Sequence, residues 1–166
     1  LGSNRNATRV LKNLEDYTNH FRDIENIYYL NKRGRELVGC QKVITKTPNY
    51  LHTIMRNDIY IHYRCPRKWQ NDYPVPTKEF TIVPDAVFEV NGTQYFLEVD
   101  RMQKLNVNIE KLNKYKRFRD TNMWQMYNGG KFPVILFYVT KDSRKHQLME
   151  KNPGLELLVL TKEDLR

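Results

Sequence analysis

Asp85, Glu98 and Asp100 are spaced so that one β-hairpin would gather all three carboxylates. They lie in residues 82–101, IVPDAVFEVNGTQYFLEVDR. Residues 83–90 read as one arm and 93–99 as the return arm, with Asn91-Gly92 between them. Asn-Gly between β-branched and aromatic runs is the strongest short hairpin signal, because both turn residues tolerate positive φ. Asp85 falls near the start of the first arm, after Pro84, while Glu98 and Asp100 fall at the end of the second. Glu98 and Asp100 are two apart on a strand, so they share a face. Carboxylates gathered away from water repel one another unless a positive group sits between them. A divalent cation with oxygen ligands is one such partner, which makes Asp85, Glu98 and Asp100 the expected metal ligands.

The rest of the chain must hold that hairpin. Its 166 residues suit about one domain, and 40% hydrophobic content with many Tyr and Phe can build a core. The formal net charge of +9 points to a polyanionic partner, DNA first. Cys40 and Cys65 have neither metal nor redox spacing and fit a reduced, cytoplasmic protein. No apolar run reaches membrane-spanning length, and neither a membrane nor a small-molecule cofactor is expected. The opening Leu-Gly-Ser reads as an expression scar, with natural sequence expected upstream.

In chain order, residues 8–16 read as a short helix with Arg9 and Lys12 on its wet side. Residues 17–24 and 27–30 read as strands joined at Glu25-Asn26, and Asn31 as the cap of a helix over 32–38 that Gly39 stops. Residues 45–48 break the chain. Residues 49–63 read as a helix on a sheet, in which His52 and Asp58 are ordinary core or surface residues. Residues 64–76 read as an irregular loop, where Trp69 packs in the core or stacks on a base, and 78–82 as a strand.

Leu105, Ile109, Leu112, Tyr115 and Phe118 mark an amphipathic helix over 105–119. Lys104, Lys111, Lys114, Lys116, Arg117 and Arg119 make this the densest basic segment, directly after the acids. Residues 120–131 read as a loop. The apolar run 134–140, VILFYVT, reads as a central strand covered on both faces. Asp142 or Ser143 would cap a helix through Met149, and 155–160 would be the last strand. The fold class expected is α/β, a mixed central sheet flanked by helices.

This order of elements, with Pro84-Asp85 and Glu98-Val99-Asp100 on adjacent strands, resembles the PD-(D/E)XK, or restriction-endonuclease-like, fold. YYLNKRGRELVG, IVPDAVF, YFLEVDR and EKLNKYKRF also resemble the replication-relaxation family of plasmid and mobile-element proteins. That resemblance implies the end of a winged helix and a linker over 4–44, after the 1–3 scar, and a nuclease-like domain over 45–166. It implies DNA contacts from Arg9 and Lys12 in the winged-helix part, and from Arg101, Lys104, Lys116, Arg117 and Arg119 beside the acids. The chain departs from the nuclease pattern at Asp100, where that pattern has a lysine. Arg101 is adjacent but would point to the other face. A lysine reaching back from the next helix, Lys111 first and Lys114 second, would take the catalytic place beside Asp85 and Glu98.

Three functions follow. The first in rank is DNA binding in replication, relaxation or its regulation, with the acids structural. The second is an endodeoxyribonuclease using Mg²⁺ or Mn²⁺. The third is protein interaction or dimerisation (self-association), with the charge solubilising.

Overall fold

Asn31 and Gly34 build the corner on which the first part of the chain turns. In a computed structural model describing residues 4–44 and 49–165, residues up to Tyr50 form one unit and those from Leu51 another. The Leu-Gly-Ser opening and the break at 45–48 lie outside the described residues. The first unit runs α1 (Asn4–Asn13), a 3₁₀ turn (Glu15–Tyr17), β1 (Thr18–Arg22), β2 (Asn26–Leu30) and α2 (Lys32–Leu37). Asn31 caps α2 as expected: its Oδ1 accepts from Gly34 N at 2.9 Å, and its Nδ2 donates to Asp16 O at 3.0 Å. A Cβ on Gly34 would sit 2.1 Å from Tyr17 O, so only glycine fits that crossing. The first helix begins earlier and ends sooner than 8–16, because residues 15–17 tighten into the 3₁₀ turn that feeds β1. The β1–β2 turn is Asp23–Glu25 rather than Glu25-Asn26, set by the pairing of Arg22 with Asn26.

The second unit is a sheet between two helical layers. Its elements are α3 (Tyr50–His62), β3 (Trp69–Asn71), β4 (Val75–Pro76), β5 (Thr81–Ile82), β6 (Ala86–Val90), β7 (Thr93–Asp100), α4 (Leu105–Asp120), α5 (Met123–Tyr127), β8 (Val134–Val139), α6 (Asp142–Glu150) and β9 (Leu157–Leu160). The sheet order is β3-β6-β7-β8-β9. β3, β6 and β7 pair antiparallel; β8 and β9 join in parallel, each reached through helices. The hairpin turn is where expected, with positive φ of 49° at Asn91 and 78° at Gly92.

Every residue of β8 is buried, as a central strand covered on both faces requires. Ile135, Phe137 and Val139 pack under α4 and α6 with Phe96, Leu112, Phe118 and Leu148. Leu136 and Tyr138 point the other way, with Leu97 and Val99, against Ile59 of α3. Three sequence expectations need correction. Residues 64–76 are not an irregular loop throughout, since they supply β3 and the short β4. Only Thr81 and Ile82 of 78–82 are strand, paired to β4. Residues 120–131 contain α5, whose Trp124 Nε1 is held by Gln94 Oε1 at 2.9 Å.

α6 starts at Asp142, so neither Asp142 nor Ser143 caps it as expected. Lys141 occupies the cap position with no side-chain hydrogen bond.

Candidate functional site

The register of the β6–β7 hairpin decides where the acids fall. Ala86 opposes Leu97, and Asp85 N donates to Leu97 O at 2.9 Å, which brings Asp85 beside Glu98 at the end of the sheet away from the turn. Glu98 and Asp100 follow Phe96 at alternate positions of β7, toward the face that α4 covers. Both are almost fully buried, at 2% and 3% exposure.

Each carboxylate then meets its own base. Glu98 Oε2 accepts from Lys111 Nζ at 2.5 Å, and its Oε1 accepts from Tyr115 OH at 2.6 Å. Asp85 Oδ2 lies 3.2 Å from His52 Nε2 and accepts from Val99 N at 2.7 Å. Asp100 Oδ2 lies 3.1 Å from Arg144 Nε and accepts from Asn108 Nδ2 at 2.6 Å. Asp100 Oδ1 accepts from Gln103 N at 2.8 Å. The repulsion expected among clustered acids is therefore answered by three side chains from three helices. Arg56, one turn along α3 from His52, supports the site from behind. Its Nη1 reaches Asp85 O at 3.3 Å and Asp72 Oδ1 at 3.1 Å.

These partners act on the protonation states. Burial pushes the Asp85 carboxyl up. The His52 and Val99 hydrogen bonds, with the charges of His52 and Lys111, outweigh it and hold Asp85 below its ordinary value. Burial pushes Glu98 above its ordinary value against the pull of Lys111, and the nearby Asp85 charge adds to the rise. Burial would lower Lys111, but Glu98, Asp85 and Asp100 raise it, so the ammonium stays charged. Tyr115, buried against Glu98, is pushed well above its ordinary value and remains a donor.

Asp85 and Glu98 are adjacent oxygen donors, but a divalent ion would have to displace partners from both acids of β7: Glu98 has Oε2 engaged by Lys111 and Oε1 by Tyr115, and Asp100 likewise has both oxygens engaged. No group of three or more His, Cys, Asp or Glu side chains able to hold a metal occurs among the described residues.

Lys111, the first choice for a helix-borne lysine, pairs with Glu98. Lys114 is exposed on α4 and outside this group. The basic residues beyond Lys111 divide. Lys116 pairs with Asp120 at 3.5 Å, Arg117 with Glu79, and Arg119 with Asp120 at 2.9 Å. Lys104 is exposed at the start of α4 and Arg101 is half-buried at the end of β7, both without an ion pair among the described residues. On α1, Arg9 and Lys12 are exposed and have no ion pair among the described residues, and Arg5 shares their face.

His52, Asn108 and Arg144 were not identified from the sequence as site residues. Asn108 had a usable signal. It falls in the α4 stripe with Leu105, Leu112 and Tyr115, where a buried amide needs a polar partner. His52 had a weaker one, lying in line with Arg56 and Ile59 on the inner side of α3. Arg144 had none, since its partner is on a distant strand.

The model of one protein family, described as Replication-relaxation, matches residues 2–135 of this chain. That span includes Asp85, Glu98, Asp100 and Lys111 and stops before Arg144. No curated protein and no solved structure matches the chain.

Proposed function

This chain belongs to the replication-relaxation family, which points to a role in plasmid or mobile-element replication or relaxation, and we propose that it acts there by binding DNA. The observation that carries this reading is α1. Arg5, Arg9 and Lys12 lie on one face of a helix that contains no acid, and none of them is paired among the described residues. Cations left in water are the ones that release counterions when they meet phosphates. The net charge of +9 supports the same partner. In this reading the acids of β6 and β7 are structural, each satisfied by its own base. The test is fluorescence anisotropy with a DNA duplex at increasing salt. Binding that weakens steeply with salt is expected, and no measurable affinity at moderate salt would remove the proposal.

A second reading is favoured by Lys111. A helix, the antiparallel strands β3, β6 and β7, then parallel strands reached through helices, support a restriction-endonuclease-like fold for the second unit. Within it Asp85, Glu98 and Lys111 would take the places of two metal-binding acids and a lysine displaced onto a helix, a reading supported by the nearness of Asp85 to Glu98 and the Lys111–Glu98 pair. Asp85 and Glu98 would hold Mg²⁺ or Mn²⁺, and the ion would supply activation of a water and stabilisation of charge on a phosphate. Lys111 would contact the phosphate, and Tyr115 fixes the Glu98 carboxylate. Nicking of supercoiled plasmid in Mn²⁺ decides between the readings. Activity abolished by Asp85→Ala and by Glu98→Ala establishes the enzyme, while none in the wild type leaves binding alone.

A further inference from the structure

Beyond the acids, at the carboxyl ends of β7 and β8, lies a groove of about 570 Å³. Arg101, Lys141 and Arg144 line it against the single carboxylate of Asp100, with Thr140 and Ser143 adding hydroxyls. Asp100 is already neutralised by Arg144 at 3.1 Å, which leaves Arg101 and Lys141 as uncompensated charge on the rim. Neither has an ion pair among the described residues, unlike most cations of α4.

We propose that this groove is a phosphate subsite for the backbone of bound nucleic acid. The proposal rests on the DNA-binding reading and extends it to residues beyond the family match at 2–135.

Two independent features support an anion there. The first is the guanidinium of Arg144. Nε is fixed by Asp100, and Nη2 donates to Gln103 O at 2.8 Å, so the plane cannot swing away. Nη1 is shielded from solvent and makes no hydrogen bond. Nη1 is therefore not open to an ion in the groove; what Arg144 supplies is a guanidinium held fixed in the groove wall. The second feature is α6. Arg144 N and Lys145 N donate to Lys141 O at 3.0 and 3.3 Å, which leaves the first two N–H groups, of Asp142 and Ser143, without an acceptor in the helix, and Lys141 gives no side-chain cap. Ser143 and Lys141 therefore offer donors on the groove side of a helix start that already favours negative charge.

The position of Asp100 gains a physical meaning from this. A lysine at that place would put its own charge at the strand. The aspartate instead anchors an arginine from α6 by two contacts, one direct and one through the Gln103 loop, and so places a planar cation beside the groove.

The test uses the full chain and exposed variants that leave the Asp100–Arg144 pair intact. Lys141→Gln and Arg101→Gln are compared with wild type for binding of a DNA duplex and a single strand, each with and without a terminal 5′-phosphate. Thermal melting confirms folding. Each variant is expected to reduce the slope of log affinity against log salt by about 0.9 on the duplex, irrespective of sequence or terminal phosphate. An unchanged slope in both variants, with wild-type DNA binding intact, would overturn the groove and spare the DNA-binding reading. An effect confined to 5′-phosphorylated strands would assign the groove to a terminal phosphate and overturn the backbone assignment. Wild-type protein that binds neither DNA removes both. A parallel titration with inorganic phosphate, read by amide shifts at Ser143 and Arg144, should perturb wild type and not Lys141→Gln; shifts absent from wild type would count against the groove.

Discussion

α1 and α4 look alike as strings of letters and differ as physical objects. Both are rich in Lys and Arg. On α4, Lys111, Lys116, Arg117 and Arg119 each face a carboxylate, while on α1 Arg5, Arg9 and Lys12 face none among the described residues. The density of basic residues is about the same, three in ten on α1 and five in sixteen on α4, yet a larger share of that charge is left to a partner on α1. A salt bridge already holds its cation in place, and the partner must compete with it before it gains anything. Counting charges finds candidate surfaces, and the acids that fold beside them decide which remain.

The strongest break in this comparison would come from stability. Glu98→Ala leaves the Lys111 ammonium and the buried Tyr115 hydroxyl without their acceptor. Removing one partner of a buried pair costs roughly 3–5 kcal/mol, and the partial exposure of Lys111 favours the lower end. Arg9→Gln on α1 should change stability by less than about 0.5 kcal/mol. Urea denaturation of both variants measures the contrast; equal midpoints would mean that the α4 pair does not hold the site. Asp100→Lys belongs with the large effects. It restores the letter of the nuclease pattern but sets a second cation against Arg144 in a site only 3% exposed. The expected result is a destabilised protein with no gain in plasmid nicking.

DNA affinity should show the reverse order. Arg9→Gln combined with Lys12→Gln removes two unpaired cations and should lower the salt slope by about 1.8, at about 0.9 per phosphate. Lys116→Gln combined with Arg117→Gln removes cations that already have carboxylate partners, and the slope should stay nearly the same. Anisotropy titrations between low and moderate salt compare the two pairs. A larger loss from the α4 pair would reverse the assignment and make that helix the interface.

Much of the sheet could be read from sequence because its signals are local. Asn91-Gly92 fixes a turn through backbone geometry, the run Val134–Val139 has no charged residue and is buried throughout, and Leu112, Tyr115 and Phe118 keep helical spacing. The convergence of Asp85 and Glu98 was legible for the same reason, since register follows from a two-residue turn. The pairing of the acids was less so. Lys111 could be chosen because it shares a face with Tyr115, whereas His52 and Arg144 reach the site from helices whose placement depends on the whole sheet. β3 and β4 hid in a segment with three prolines because they are two or three residues long and owe their form to β6 and β5. Strands that short have no period to detect.

The finest test of the paired region concerns Asp85. Burial alone would raise its carboxyl, and the hydrogen bond from His52, the largest opposing cause, turns the balance downward. A folded value below the unfolded one means that the unfolded chain binds the proton first as pH falls. Asp85 then contributes stability that is present above its unfolded value and is lost as pH falls through the folded value. Glu98 works in the opposite sense, since burial raises it. Its contribution is present below its unfolded value and lost as pH rises through the folded one. The net acid dependence mixes the two, so the clean readout is the Asp85 carboxyl itself, followed by carbon NMR. In wild type it should titrate below the ordinary aspartate range, and His52→Gln should move it upward while Val99 N still donates to it. A wild-type carboxyl titrating above that range would mean that His52 is not its partner, and that the one-base-per-acid arrangement fails at the residue nearest Glu98.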